Sequence, residues 1–147
     1  MWIDGKGSTI LPVAECRRLL ALGAKEGRIG RVGVATDQAP VIIPVNFALR
    51  DGQVLVRVGP GFLSQAAGGR LVAFEVDHID PDAAMAWSVL VRGLGTLVEA
   101  PSESELEAAG HPSVPEPGDM VLIIRPDVVT GRRFELRHAA QTPISAR

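Results

Sequence analysis

The dipeptide Asp51-Gly52 restricts what this 147-residue chain can become more than any other feature. It stands between two runs of strand-forming residues, PVIIPVNFALR before it and QVLVRV after it. A two-residue Asp-Gly loop with such flanks is the strongest short-range signal for a tight β-hairpin. Once that turn is set, a register follows: Arg50 faces Gln53, Leu49 faces Val54, Ala48 faces Leu55, Phe47 faces Val56, Asn46 faces Arg57 and Val45 faces Val58. Side chains alternate along a strand, so Val45, Phe47, Leu49, Val54, Val56 and Val58 share one face, the core face. The other face sets Asn46 opposite Arg57, with Ala48 and Leu55 as a low apolar floor.

An amide and a fixed cation side by side on a smooth sheet suit an anionic ligand with a flat apolar part. Gly59-Pro60-Gly61 follows at once, and glycines let a backbone turn its N–H groups toward an anion. The same pattern is what any antiparallel sheet with one solvated face displays, so the residues alone leave both readings open.

Around the hairpin the chain reads as short strands with turns. Met1–Leu11 is a polar lead-in, expected to be loosely held or to pack on a partner chain. Pro12 suits a helix start, and Val13, Cys16, Leu19, Leu20 and Gly23 follow at helical spacing. Cys16 lies on that stripe and reads as a small packed hydrophobe. Residues 28–36 read as a strand, 62–68 as a short helix and 70–77 as a strand with Val72, Phe74 and Val76 inward. Residues 86–100 form a long strand with Trp87, Val89 and Val91 on one face, in which Gly93 and Gly95 mark a bulge or bend. Glu75 and Arg92 are placed to pair across these strands. Ser102 caps a short helix to Ala109, with Glu105 at the capping-box position. The run HPSVPEPG at 111–118 is a loop, and 119–136 returns to strand, interrupted near 125–127 and again at Gly131. The tail from His138 is expected to fray.

About six strands with tight connections and two or three short helices argue for one mainly β domain, an antiparallel barrel that closes or covers its edges. Composition narrows the function by exclusion. The net charge is −2 with dispersed basic residues, which removes the electrostatic footprint of a nucleic-acid binder. No apolar run approaches a bilayer span and no leader pattern opens the chain, so a cytoplasmic protein is the simplest expectation. One cysteine precludes an internal disulfide. His78, His111 and His138 have no metal-ligand spacing, and neither a Walker A loop, a G-x-S-x-G elbow nor a full dinucleotide fingerprint is present. No side chain stands out as a catalyst, so any chemistry falls to a cofactor.

Taken in order, ECRRLLA, GRIGRVGVAT, PVIIPVNFAL, VLVRVGPG, LVAFEVDHID, WSVLVRG and IIRPDVVTGRRF resemble the pyridoxamine 5′-phosphate oxidase-like superfamily of split β-barrel flavoproteins. The likeness is to its short, nitroimidazole-resistance-type branch and spans roughly Leu11 to Phe134. It implies a six-stranded antiparallel split barrel, a homodimer with FMN at the subunit interface, and oxidoreductase activity on a small molecule. It also implies that Pro44, Val45, Asn46 and Phe47 lie along the isoalloxazine. Arg57, Val58 and Gly59 would reach the ribityl chain and phosphate, and Trp87 and Ser88 would border the site from the second subunit.

Two positions depart from that pattern. Where relatives present Ser-Lys after the glycine turn, this chain has Phe62-Leu63, and Phe47 stands where tyrosine is common. Exchanging a phosphate-pairing lysine for leucine removes about 1.5–3 kcal/mol, or roughly one to two orders of magnitude in affinity. Alternatives therefore stand beside the FMN oxidoreductase: a cofactor-free binding or interaction module on the same barrel, or a relative using a deazaflavin coenzyme or haem.

Overall fold

The computed structural model describes residues 2–3, 7–110 and 120–136. Its elements in chain order are β1 (Trp2–Ile3), β2 (Ser8–Ile10), α1 (Val13–Lys25), β3 (Gly30–Val34), β4 (Val41–Val45), β5 (Ala48–Arg50), β6 (Gln53–Val58), α2 (Phe62–Ala67), β7 (Leu71–Asp80), β8 (Met85–Val98), α3 (Glu103–Ala108), β9 (Met120–Ile124) and β10 (Val128–Glu135). Every strand pair is antiparallel. The expected loop at 111–118 and the expected fraying from His138 lie outside the described residues.

The six expected strands are all present, and two are broken in the middle. The run 41–50 divides at Asn46-Phe47, and the run 120–135 divides at Arg125–Asp127. β7 pairs with β3 and β8, β3 with β4, β6 with β5 and β9, and β9 with β8. The covalent link between β4 and β5 completes the circuit, which makes this a split barrel rather than an open sheet. The lead-in is not loose from Ser8 onward: β2 pairs with β10 and β1 with β2, and Ser8 and Leu11 are buried.

Asp51-Gly52 turns as the sequence requires, with φ of 52° and 76°. Two successive positive φ values make the turn whose twist matches its strands. The barrel interior holds Val54, Val56 and Val58 with Val32, Val34, Val72, Phe74, Val76, Val89 and Val91. α1 adds Cys16, Leu19 and Leu20 to this core and lies against β10, β5, β7 and β8; Val13, expected on its stripe, is exposed.

Gly93 and Gly95 sit where β8 exchanges neighbours: β10 up to Arg92 and β7 up to Leu94, then β9 from Gly95. β8 runs through both without a break, so the reason for glycine is close approach. A Cβ on Gly93 would be driven into the Arg125 carbonyl oxygen, and one on Gly95 into the Ala67 carbonyl oxygen. Gly131 likewise interrupts nothing; there a Cβ would meet the Cys16 Sγ at 2.7 Å. Ser102 caps α3 as expected, its Oγ accepting from the Glu105 N–H at 3.2 Å. No helix among the described residues is long and apolar enough to cross a membrane.

Candidate functional site

The hairpin ladder ends earlier than its pattern suggests. Ala48 pairs with Leu55, Leu49 with Val54 and Arg50 with Gln53, and there the pairing stops. Val45 faces Gly30 on β3 instead of Val58, and Pro44 faces Arg31. Asn46 and Arg57 are therefore not cross-strand partners. β4 is drawn away because β3 offers it five ladder positions, anchored where Gly30 lets the Phe74 ring come close. β6 pairs with β9 over Val54–Val58 and from Val56 onward has no ladder on its other side, so the departure of β4 leaves a crevice between β4 and β6.

Around this crevice Val45, Phe47 and Val58 are buried, Asn46, Arg57 and Gly59 half-buried, and Pro44 exposed. The Phe47 ring meets Phe74 edge-on with centroids 4.8 Å apart, which fixes the chain where it leaves the ladder. The Arg57 guanidinium donates to the Gly110 carbonyl at 3.4 Å, so α3's C-terminal end helps to position it. At the start of α2, Phe62 is exposed, while Leu63 packs against the core. The floor expected beside Arg57 is not open: Leu55 is buried with Val121 and Ala109 in a second small cluster beneath α3.

Trp87 and Ser88 lie elsewhere. Trp87 is buried beside His78, with ring centroids 6.3 Å apart, and Ser88 faces Asp77 and Arg132 across its neighbours. Arg57 and Val98 both pair with Val121, so Ser88 stands ten residues along β8 from the Arg57 row, roughly 30 Å of strand. The Trp87 ring does reach the core side of Phe47, since both rings lie against Gly23, but neither Trp87 nor Ser88 stands near Arg57 along the strands.

The electrostatic feature that the sequence reading missed is on the outer face of β3 and β7. Arg31 reaches Glu75 at 2.9 Å and Asp77 at 3.5 Å. Glu75 pairs with this residue and not with Arg92, because β8 sets Leu90 opposite it. Burial pushes the Glu75 carboxyl up, and Asp77 adds to the shift against the pull of Arg31. The signal available in sequence was alternation itself, which puts Arg31, Glu75 and Asp77 on outward positions of two strands, but not their adjacency. Burial also raises the Cys16 thiol, in keeping with a packed and inert cysteine. Among the described residues no group of His, Cys, Asp or Glu could hold a metal ion.

Comparison with known proteins now bears on this geometry. The family described as pyridoxamine 5′-phosphate oxidase matches residues 12–133. The chain belongs to the pyridoxamine 5′-phosphate oxidase family. An uncharacterized protein of Mycobacterium tuberculosis is 38% identical over 112 residues, 71% of this chain and 74% of its own length. Among solved structures, the FAD binding protein from Mycobacterium smegmatis is 34% identical and superposes with a TM-score of 0.69, covering 87% of this chain and 99% of that one. A candidate 5-nitroimidazole antibiotic resistance protein from Bacteroides thetaiotaomicron shares the fold at 15% identity and a TM-score of 0.59, covering 87% and 89%.

Proposed function

We propose that the protein is a flavin-dependent oxidoreductase acting on a small molecule, assembled as a homodimer whose two copies share each flavin site. The observation that carries this reading is the 34% identical Mycobacterium smegmatis structure, described as FAD binding and matched over nearly its whole length. The residues present fit a flavin in kind: a crevice edged by β4 and β6, the Asn46 amide, and one arginine at its end. When bound, the flavin supplies hydride or electron transfer. The chain's own part is to bind, orient and shield it. Pro44–Phe47 would flank the ring system, Arg57 and Gly59 would face the phosphate end, and Phe62 would cover apolar surface beside it. Trp87 and Ser88 would come from the second copy, since they lie far from Arg57 within one chain.

The outer face of the larger sheet supports the dimer. Ile42, Leu71 and Ile79 are 70%, 75% and 60% exposed there, an unusual outlay of large aliphatic side chains for a free surface.

Between the two common flavin nucleotides, the family resemblance points to FMN and Leu63 favours FAD. The terminal phosphate of FMN is a monoester near charge −2 that gains most from a lysine. The two phosphates of FAD form a pyrophosphate with a charge of −1 on each phosphorus, so neither depends as heavily on one lysine. A cofactor-free module is the second reading, favoured by the same leucine and by the engagement of Arg57 with Gly110. One experiment separates all three. Purified protein is incubated with FMN or FAD, desalted, and its absorption spectrum recorded, with heat-released flavin identified by chromatography. Retained FAD in stoichiometric amount is the expected result. Retained FMN alone would reverse the nucleotide assignment, and colourless protein in both cases would leave the cofactor-free module.

A further inference from the structure

Between the tip of the β5–β6 hairpin and α3, on the smaller side of the barrel, lies a cavity of about 270 Å³. Its floor is apolar: Ile123 is half-buried there, beside the buried Leu55 and Val121. Its flanks carry opposite charge. The hairpin contributes Arg50 and Gln53, cross-strand partners next to the turn, and α3 contributes Glu105. Neither Ile42 nor Leu71, on the face given to the second copy, borders this cavity, and neither does any residue that the family resemblance assigns to the flavin.

The two charges do not meet. One carboxylate oxygen of Glu105 is buried with no hydrogen-bond partner among the described residues, and Arg50 has no hydrogen bond or ion pair with any of them. Both side chains hang from fixed backbone. Arg50 is in the hairpin ladder, and α3 is held by its Ser102 cap and by Leu106, Ala108 and Ala109 against the sheet. A carboxylate oxygen taken from water without a donor is costly. The terminal torsion of a glutamate is soft, so this oxygen can turn to a donor placed in the cavity. The Arg50 guanidinium is a planar donor with no acceptor to give up on binding an anion. Asp51 also borders the cavity, but it is exposed at the turn, where water screens its charge.

We propose that this cavity binds a small zwitterion, an α-amino acid with an aliphatic side chain. The ammonium lies on Glu105, the carboxylate on Arg50 with the Gln53 amide, and the side chain on Ile123. Size agrees with this class, since the cavity falls just below the roughly 300–1,000 Å³ of sites for drug-sized ligands and is too small for a flavin. Each ionic end satisfies a group that the chain leaves without a partner, and the orientation is fixed by sign. The site depends neither on the flavin reading nor on the dimer. A chain that takes up no flavin, or that stays single, would still show it.

The test is isothermal titration of the full chain with three compounds: L-leucine, 4-methylpentanoate, which lacks the amine, and 3-methylbutylamine, which lacks the carboxylate. Leucine should bind about ten- to a hundredfold tighter than either analogue. Glu105→Gln should bring leucine and 4-methylpentanoate within about twofold of each other, and Arg50→Gln should do the same for leucine and 3-methylbutylamine. Arg50→Lys should restore part of the lost preference. Urea midpoints of Arg50→Gln, Glu105→Gln and the double variant should shift additively. The proposal is overturned if leucine binds no tighter than its analogues, if the two variants keep its full advantage, or if none of the three binds at millimolar concentration. Strongly non-additive midpoints would show that Arg50 and Glu105 pair with each other across the cavity, and that result also ends it. None of these readouts depends on the spectrum that tests the flavin reading.

Discussion

The two outer faces of this barrel obey one rule of alternation and meet different ends. On the smaller side, β6 and β9 turn Leu55, Val121 and Ile123 outward, and α3 folds down over them with Leu106, Ala108 and Ala109. On the larger side, β4, β7, β8 and β10 turn out Ile42, Leu71, Leu90 and Val128, and no described element covers them. The contrast separates apolar surface that the chain buries for itself from apolar surface that it presents. Only the first contributes to the stability of a single copy, since area counts when it leaves water.

The largest effect should come at the seam between the two faces. Gly93→Ala drives a methyl into the Arg125 carbonyl at the crossing of β8, where backbone, not a flexible side chain, must move. A loss of about 3 kcal/mol or more, or failure to accumulate folded protein, is expected in urea denaturation. Gly33→Ala, on the presented face, adds a Cβ at an ordinary 3.5 Å from that of Ala73 and should be close to neutral. Equal costs for the two would break the comparison.

Next come the faces themselves. Leu55→Ala should cost about 2–5 kcal/mol, because it opens a cavity beneath α3. Leu71→Ala should fall within about 0.5 kcal/mol of the parent, as a surface change does. Leu71→Asp sharpens the point: unchanged monomer stability, with dimer dissociation at least tenfold easier by light scattering across a dilution series, since a charge would be buried unpaired. A dimer indifferent to this change would move the subunit contact elsewhere.

The smallest effects are those of pH, and they carry opposite signs. Hydrogen bonds from Arg18, joined by Arg133, lower the Glu15 carboxyl from 4.5 to about 2. A depressed folded-state pKa contributes stability above the ordinary value that is lost as pH falls. The deficit of Glu15→Gln, small at neutral pH, should therefore close between about pH 4.5 and 2. Glu75 is raised, chiefly by burial, so its contribution is present at low pH and lost as pH rises through its shifted value. Glu75→Gln should gain on the parent with increasing pH, and parallel urea midpoints for both variants across the range would contradict this assignment.

Much of this was legible because it is local. Two adjacent residues able to hold positive φ define the hairpin, and the alternation beyond them selects Val54, Val56 and Val58 for the interior. Ser102 identifies the start of α3 because its hydroxyl serves an N–H three residues on. The candidate site was less legible. Extending the hairpin register by two residues joined Asn46 to Arg57, but β3 and β6 compete for the same strand, and no local feature says where the chain changes partner. Glu75 was matched with Arg92 for a similar reason: the register of β8 against β7 is a property of the sheet.

By itself, then, the sequence settled the turn, the inward faces, the helix positions and the order of motifs that places the chain in its family. These rest on backbone sterics and on hydrogen bonds spanning a few residues. Tertiary structure alone decided where β4 leaves β6, why β8 needs glycine at the crossing, which carboxylate meets Arg31, and which apolar face is left uncovered by the described elements. Each of those outcomes is a contest between segments distant in the chain for one strand edge or one covered surface, and such contests are resolved only when all the competitors are in place.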